Sequence, residues 1–76
     1  MNSNGIPSRE AVERVRNMYP IGCRVELILM DDSYSSLTPG TKGTVRSVDD
    51  TGTVFVRWDN GSGLGVVYGV DRIRKL

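Results

Sequence analysis

The spacing of the apolar residues changes near Gly22, and this change constrains the fold more than any other feature of the 76-residue sequence. Before Gly22, one set of apolar residues recurs at helical spacing: Ala11, Val12, Val15, Met18 and Tyr19. After it, apolar residues mainly alternate with polar ones, which is the two-residue period of a half-buried β-strand. The sequence therefore predicts one short helix followed by a β-domain.

The predicted helix covers residues 8–19 and follows a flexible arm over residues 1–7. Ser8 is the expected N-cap because its hydroxyl can accept a hydrogen bond from an amide of the first turn. Pro20 is expected to end the helix. A helix of about three turns is too short to be stable alone, so we expect its apolar stripe to pack on the β-domain.

Five short strands are predicted between residues 24 and 76, separated by glycine-rich turns. Their ranges are 24–30, 44–48, 53–58, 64–68 and 70–76, the last beginning with a 3₁₀ turn at 70–72. The inward positions are expected at Val25, Leu27, Leu29, Val54, Val56, Trp58 and Ile73. Residues 31–40 form a long polar loop, and loops of this length are often functional. We interpret residues 22–76 as a mainly β, five-stranded, SH3-like barrel, because the chain is too short for a two-sheet sandwich.

Four sequence runs resemble a known family. They are Gly-Cys-Arg-Val-Glu-Leu at 22–27, Pro-Gly-Thr-Lys-Gly-Thr-Val at 39–45, Val-Asp-Asp-Thr-Gly at 48–52 and Val-Arg-Trp-Asp-Asn-Gly-Ser-Gly-Leu at 56–64. Together they resemble the domain-of-unknown-function family 4314, a small SH3-like domain of bacteria, mostly Firmicutes, and of their phages and mobile elements. The resemblance implies the fold and a mobile-element setting, and it implies no activity. The chain departs from the family pattern at residues 67–71, where a proline-containing turn is common.

The residue types argue against catalysis. The sequence has no histidine, which is the commonest general base, so Cys23 has no histidine partner. Zinc sites need clusters of cysteine and histidine that the sequence lacks. The aspartate pairs at 31–32 and 49–50 are interpreted as turn formers. We expect a protein with no enzyme activity, no cofactor and no metal.

Composition also indicates where the protein acts. A single cysteine cannot form an internal disulfide, which favours the cytoplasm over secretion. No apolar run approaches about 18 residues, so no membrane span is predicted. The net charge of +1 argues against a broad polyanion-binding surface, although it leaves room for a local basic patch.

The aromatic residues indicate a binding site. In an SH3-like barrel the loop after the first strand, the end of the third strand and the final turn meet at one rim. The predicted partner-binding groove at this rim consists of Tyr34, Trp58, Tyr68, Asp31, Asp32 and Asn60. Tyrosine and tryptophan favour contact sites because they offer large, rigid surfaces. Two alternatives stay open. Trp58 lies either in the core, which is its favoured place, or at the strand end with its ring half exposed, and Tyr34 is either a lid on the barrel or a contact residue.

A second predicted surface is basic and would contact an anion or nucleic acid. Arg46 and Arg57 have outward parity on neighbouring strands, and they are joined by Lys42, Arg72, Arg74 and Lys75. An ordinary solvated face of the barrel is the competing interpretation.

Three functions fit these features. The preferred one is a binding module, a small phage or mobile-element protein that docks on a host protein as an inhibitor or adaptor. The alternatives are a nucleic-acid-binding domain and an oligomer that sequesters a nucleotide signal between its subunits. Such an oligomer would form through the helix stripe or through outward-facing Ile28, Met30 and Phe55.

Overall fold

The structure, a computed structural model, describes residues 7–31 and 37–76. Its elements are one helix, α1 (Arg9–Met18), and five strands: β1 (Arg24–Leu29), β2 (Lys42–Val48), β3 (Val54–Trp58), β4 (Gly65–Val66) and β5 (Arg72–Lys75). The strands form one antiparallel sheet in the order β4-β3-β2-β1-β5. The expected mainly β fold with five strands and one N-terminal helix is confirmed.

Helix α1 begins where the sequence predicts. The backbone N–H of Ala11 donates to Ser8 Oγ at 3.1 Å, so Ser8 is the N-cap. Ala11 and Val12 are buried, whereas Met18, which the helical spacing places in the same stripe, is 54% exposed. The expectation that the whole stripe packs on the β-domain is therefore wrong at Met18, whereas Val15 and Tyr19 of the same stripe pack against the core.

Two polar side chains, those of Arg16 and Tyr19, attach the helix to the sheet. The Arg16 guanidinium donates to the carbonyl oxygen of Val48 at 3.2 and 3.3 Å and forms an ion pair with Asp50 at 2.9 Å. At the C-terminal end of the helix, the Tyr19 hydroxyl donates to the carbonyl oxygen of Ile73 at 3.3 Å. The helix is thus attached to the β2–β3 hairpin at one point and to β5 at another.

A bulge in β1 changes which side chains face inward. Leu27 pairs with Ile73 and Leu29 pairs with Arg72, so Ile28 is an extra residue on β1. The extra residue shifts the alternation of faces. Leu29 is therefore exposed, and Met30 packs against the core instead. The predictions that Leu29 points inward and that Met30 points outward are both wrong for this reason.

The core consists of inward-facing residues from β1–β4 and one residue of the 31–40 loop: Val25, Leu27, Leu37, Val45, Val54, Val56, Trp58 and Val66. Ile73 of β5 packs against it, as predicted. Strand β2 begins two residues earlier than predicted, and β4 is only two residues long. The turn before β5 lies at 68–70 rather than 70–72, and it is closed by hydrogen bonds from the amides of Val70 and Asp71 to the carbonyl oxygen of Val67.

Asp49 organises the hairpin between β2 and β3. Its Oδ1 accepts hydrogen bonds from the Thr51 amide (2.9 Å), the Thr51 hydroxyl (2.7 Å) and the Thr53 amide (3.1 Å). The bond from the Thr51 hydroxyl, with the two amide bonds, lowers the pKa of the Asp49 carboxyl below its usual value. This is the turn-forming role predicted for the aspartates at this position.

Replacing Asp49 by alanine is expected to lower the melting temperature at neutral pH, because three donors lose their acceptor. A carboxyl whose pKa is lower in the folded protein stabilises it above the unfolded pKa of about 4, and that stabilisation is lost as the pH falls through the folded value. The difference in unfolding free energy between wild type and Asp49→Ala should therefore be constant above pH about 5 and shrink below pH about 4. Urea titrations across this range measure it. Glu13→Ala, which removes an exposed helix carboxylate, is the control, and equal pH profiles for the two variants would contradict the role of Asp49.

Candidate functional site

A groove lies between the C-terminal half of α1 and the segment that joins β4 to β5. We call it the helix groove. Its volume is about 430 Å³, and its walls include Met18 and Tyr19 of the helix, Ile28 of the β1 bulge, and Val67 and Tyr68 of the joining segment. The floor is formed by core residues of β3, β4 and β5. The lining is mainly apolar, which is typical of ligand and peptide sites.

The rim of the helix groove exposes large apolar side chains. Met18, Ile28, Val67 and Tyr68 lie in one groove, and each is at least 39% exposed. Single exposed apolar residues are ordinary on a protein surface, but a contiguous patch around a concave site marks an interaction surface. The groove is therefore the strongest candidate site in the described part of the chain.

Hydrogen bonds hold the joining segment in place. The two carboxylate oxygens of Asp71 accept the backbone amides of Asp31 and Val67, both at 2.8 Å. Asp71 thereby connects the end of β1 to the start of the joining segment and holds the wall that carries Tyr68. The Asp71 carboxylate therefore stabilises the wall of the groove.

The remaining polar groups of the groove differ in their roles. Burial raises the pKa of the Tyr19 hydroxyl above its usual value, and the hydroxyl donates to Ile73, so Tyr19 is a neutral part of the wall. Arg72 is exposed and forms no ion pair with any residue of 7–31 or 37–76. Its guanidinium lies at the edge of the groove beside Asp71, whose carboxylate accepts two backbone amides, and it can pair with a carboxylate of a ligand.

The predicted rim groove is not assembled as expected. Tyr68 lies in the helix groove at the Gly52 end of β3, because a Cβ atom at Gly52 would be 3.4 Å from the Tyr68 ring. Asn60 follows the other end of β3, where its side chain accepts the Ser62 amide at 2.9 Å. The intervening strand of five residues is about 17 Å long, so Tyr68 and Asn60 belong to different sites.

The other members of the predicted groove lie in different places. Trp58 is 1% exposed, and its indole N–H donates to the carbonyl oxygen of Leu64 at 2.9 Å, so it is a core residue and not a contact residue. Asp31 is exposed beside Asp71, at the edge of the helix groove. Tyr34 and Asp32 lie outside the described residues.

Comparison with known protein families gives one match. The model of the domain-of-unknown-function family DUF4314 matches residues 8–76, which include the helix and all five strands. The chain belongs to the DUF4314 family. The resemblance based on four sequence runs is thus confirmed. No curated protein matches the chain.

The basic residues predicted for anion contact do not form one surface on this DUF4314 domain. Arg74 pairs with Glu26 at 2.7 Å. A bidentate hydrogen bond from Arg24 holds the pKa of Asp59 below its usual value, and the charge of Lys42 adds to this effect. Arg72 belongs to the helix groove. Arg46 and Arg57 remain exposed on the outer face of β2 and β3.

The DUF4314 domain presents groove residues that the sequence pattern had assigned elsewhere. Met18 was expected in the buried stripe, Ile28 was predicted only as part of an oligomer interface, and Val67 was not predicted as part of a site. A signal exists for the last two, because Leu27–Met30 and Val66–Tyr68 are uninterrupted apolar runs. Successive residues of a strand point to opposite faces, so such runs must expose part of their apolar surface or bulge.

The described parts of the DUF4314 domain show neither a metal centre nor a membrane helix. Within residues 7–31 and 37–76, no three histidine, cysteine, aspartate or glutamate side chains are grouped to hold a metal ion. Helix α1, with ten residues, falls well short of the length and apolar character that crossing a membrane requires, and no other helix lies in the described ranges.

Proposed function

We propose that this DUF4314 domain is a non-catalytic binding module that docks on a partner protein through the helix groove. The observation that carries the proposal is the concave apolar site whose rim residues, Met18, Ile28, Val67 and Tyr68, are substantially exposed. Burying this rim against a partner removes apolar surface from water, which is the main favourable term in association. The mobile-element setting that the sequence resemblance implies makes a host protein the partner we propose, with the domain acting as an inhibitor or adaptor.

The shape and charge of the groove define the partner segment. A volume of about 430 Å³ accommodates a few large apolar side chains, as when an amphipathic helix inserts its anchors into a groove. The guanidinium of Arg72, which forms no ion pair with the described residues, favours an acidic residue next to those anchors. We therefore propose a partner segment that combines apolar anchors with an aspartate or glutamate.

Photo-crosslinking at defined positions tests this proposal. A benzophenone amino acid placed at Tyr68 or Met18 is expected to capture the same host protein from a lysate, whereas the same amino acid at Asn60 should not. The captured protein is then purified, and its affinity for the domain is measured by calorimetry. Tyr68→Ala should raise Kd about 30-fold, as expected for an aromatic hot spot, while Asn60→Ala should leave it unchanged.

Two results would contradict docking through the helix groove. One is equal crosslinking yield at Tyr68 and Asn60, which indicates non-specific capture. The other is a purified partner whose affinity is insensitive to Tyr68→Ala although the variant keeps the wild-type circular dichroism spectrum. Light scattering on the isolated domain accompanies these measurements, because a crosslink to a second copy of the chain would assign the groove to self-association.

A second candidate function is sequestration of a nucleotide signal by an oligomer. Exposed apolar residues outside the helix groove favour it: Ile21 is 77% exposed, and Leu29 and Leu76 are each about half exposed. A domain this small has an interior filled by side chains, so a nucleotide would have to lie between subunits. A dimeric or larger mass by light scattering, with nucleotide retained on dialysis, is the expected result for this function, and a monomeric mass would contradict it.

A further inference from the structure

A bulge in β2 places an arginine next to an exposed aromatic ring. Val45 pairs with Val56 and Ser47 pairs with Phe55, so Arg46 is an extra residue of β2 at this point. Arg46 and Ser47 are consequently both exposed and both lie opposite Phe55. Bulges often re-aim a side chain in this way.

Two cations on this face have no acidic partner in the described chain. Arg57 follows Phe55 by two residues on β3 and therefore lies on the same outer face. Neither Arg46 nor Arg57 forms an ion pair within residues 7–31 and 37–76, whereas Arg16, Arg24 and Arg74 each pair with a carboxylate. The face thus carries two charges that are not neutralised by the described residues.

The ring of Phe55 is open to a ligand. It is 38% exposed, and its neighbour across the strand pair is Gly65. A Cβ atom at Gly65 would lie 3.2 Å from Phe55 Cε1, so the ring rests beside a residue with no side chain to cover it. An exposed aromatic ring on the same face as two arginines that form no ion pair with the described residues combines a stacking surface with phosphate-binding groups.

We propose that the face formed by Arg46, Phe55 and Arg57, which we call the outer β-face, binds single-stranded nucleic acid. One base stacks on Phe55, and the flanking phosphates contact the two guanidinium groups. Stacking on an aromatic side chain needs an unpaired base, which favours a single strand over a duplex. The net charge of +1 fits a short contact with about two phosphates rather than a broad polyanion surface. The outer β-face is separate from the helix groove, so this inference does not depend on the partner-docking proposal.

Fluorescence anisotropy with a labelled oligothymidine of about eight nucleotides tests the outer β-face. Wild type is expected to bind at about 50 mM salt, with log K falling with log salt at a slope near −1.4, the value for about two phosphates on a single strand. Arg46→Ala combined with Arg57→Ala should raise Kd at least tenfold and bring the slope towards zero. Phe55→Leu should raise Kd about fivefold or more, and Phe55→Tyr, which keeps a ring, should restore binding.

The matched control is Arg9→Ala combined with Arg14→Ala, which removes the same charge from exposed positions on α1. It should change Kd less than twofold, and thermal unfolding verifies that every variant is folded. Three outcomes would overturn the proposal: no binding by wild type at about 50 mM salt, an equal loss in the control variant, or competition by free thymidine monophosphate as strong as by the oligonucleotide. The last outcome would assign the face to single nucleotides.

Discussion

Trp58→Ala is expected to cost about 3–5 kcal/mol of unfolding free energy, the largest effect of any single truncation in this domain. The Trp58 side chain is the largest of those that are almost completely buried, and its indole N–H bonds the carbonyl oxygen of Leu64 at 2.9 Å. Alanine would leave a cavity where β3 ends and would release the segment that leads to β4. A domain of this size has a small stability margin, so the variant should be largely unfolded at physiological temperature.

Urea unfolding followed by far-ultraviolet circular dichroism measures this effect, because Trp58 is the single tryptophan and its fluorescence is lost in the variants. Trp58→Phe is the matched control. It keeps an aromatic ring and loses the indole donor, so its expected cost is smaller, about 1–2 kcal/mol. An alanine variant whose unfolding free energy falls by less than about 1 kcal/mol would contradict a core role for Trp58 and would favour a surface position.

Gly43→Ala is the second large expected effect, about 3 kcal/mol of destabilisation from overpacking. Gly43 is buried opposite Trp58 in the β2–β3 pair. A Cβ atom there would lie 2.5 Å from Val56 Cγ1, 2.8 Å from the Arg57 carbonyl oxygen and 3.0 Å from Trp58 Cα. Two of these three atoms belong to the backbone, so β3 cannot relieve the clash by a change of rotamer.

The control for Gly43 is Gly63→Ala. Gly63 has no heavy atom within 4 Å of the added Cβ, and its φ is not in the left-handed region. Its substitution should change the unfolding free energy by less than about 0.5 kcal/mol. Equal midpoints of urea unfolding for the two alanine variants would show that β2 and β3 are not packed as closely as the structure describes.

Both large effects concern the frame that holds the two proposed binding surfaces. Strands β2 and β3 carry the outer β-face, and the inward side of β3 forms part of the floor of the helix groove. Destabilising this pair is expected to weaken both surfaces together. Surface substitutions such as Tyr68→Ala and Arg46→Ala should affect one binding activity and leave the fold intact, which allows the two proposals to be tested separately.

The sequence by itself determined the kind of fold and much of its frame. The helical spacing before Gly22 and the alternation after it predicted one helix and five strands, and the Ser8 cap, the Asp49 turn and the inward positions of Val25, Val54 and Val56 are as predicted. These features depend on neighbours within about four residues, so a local pattern contains the information needed to predict them. The family could likewise be identified from sequence, because the runs that carry the resemblance are local patterns.

Only the tertiary structure decided which side chains meet at a surface. The bulge at Ile28 arises from the pairing of β1 with β5, which are distant in sequence, and it reverses the expected orientation of Leu29 and Met30. The bulge at Arg46 places both Arg46 and Ser47 opposite Phe55. The helix groove brings α1, the β1 bulge and the segment before β5 together, so no local pattern contains it. The sequence predicted an inward Trp58, but only the structure shows its hydrogen bond to the Leu64 carbonyl and its position opposite Gly43. A binding surface forms where distant segments come into contact. The two-residue period of a strand predicts which side chains share a face, but it does not predict which other strand will pair with it.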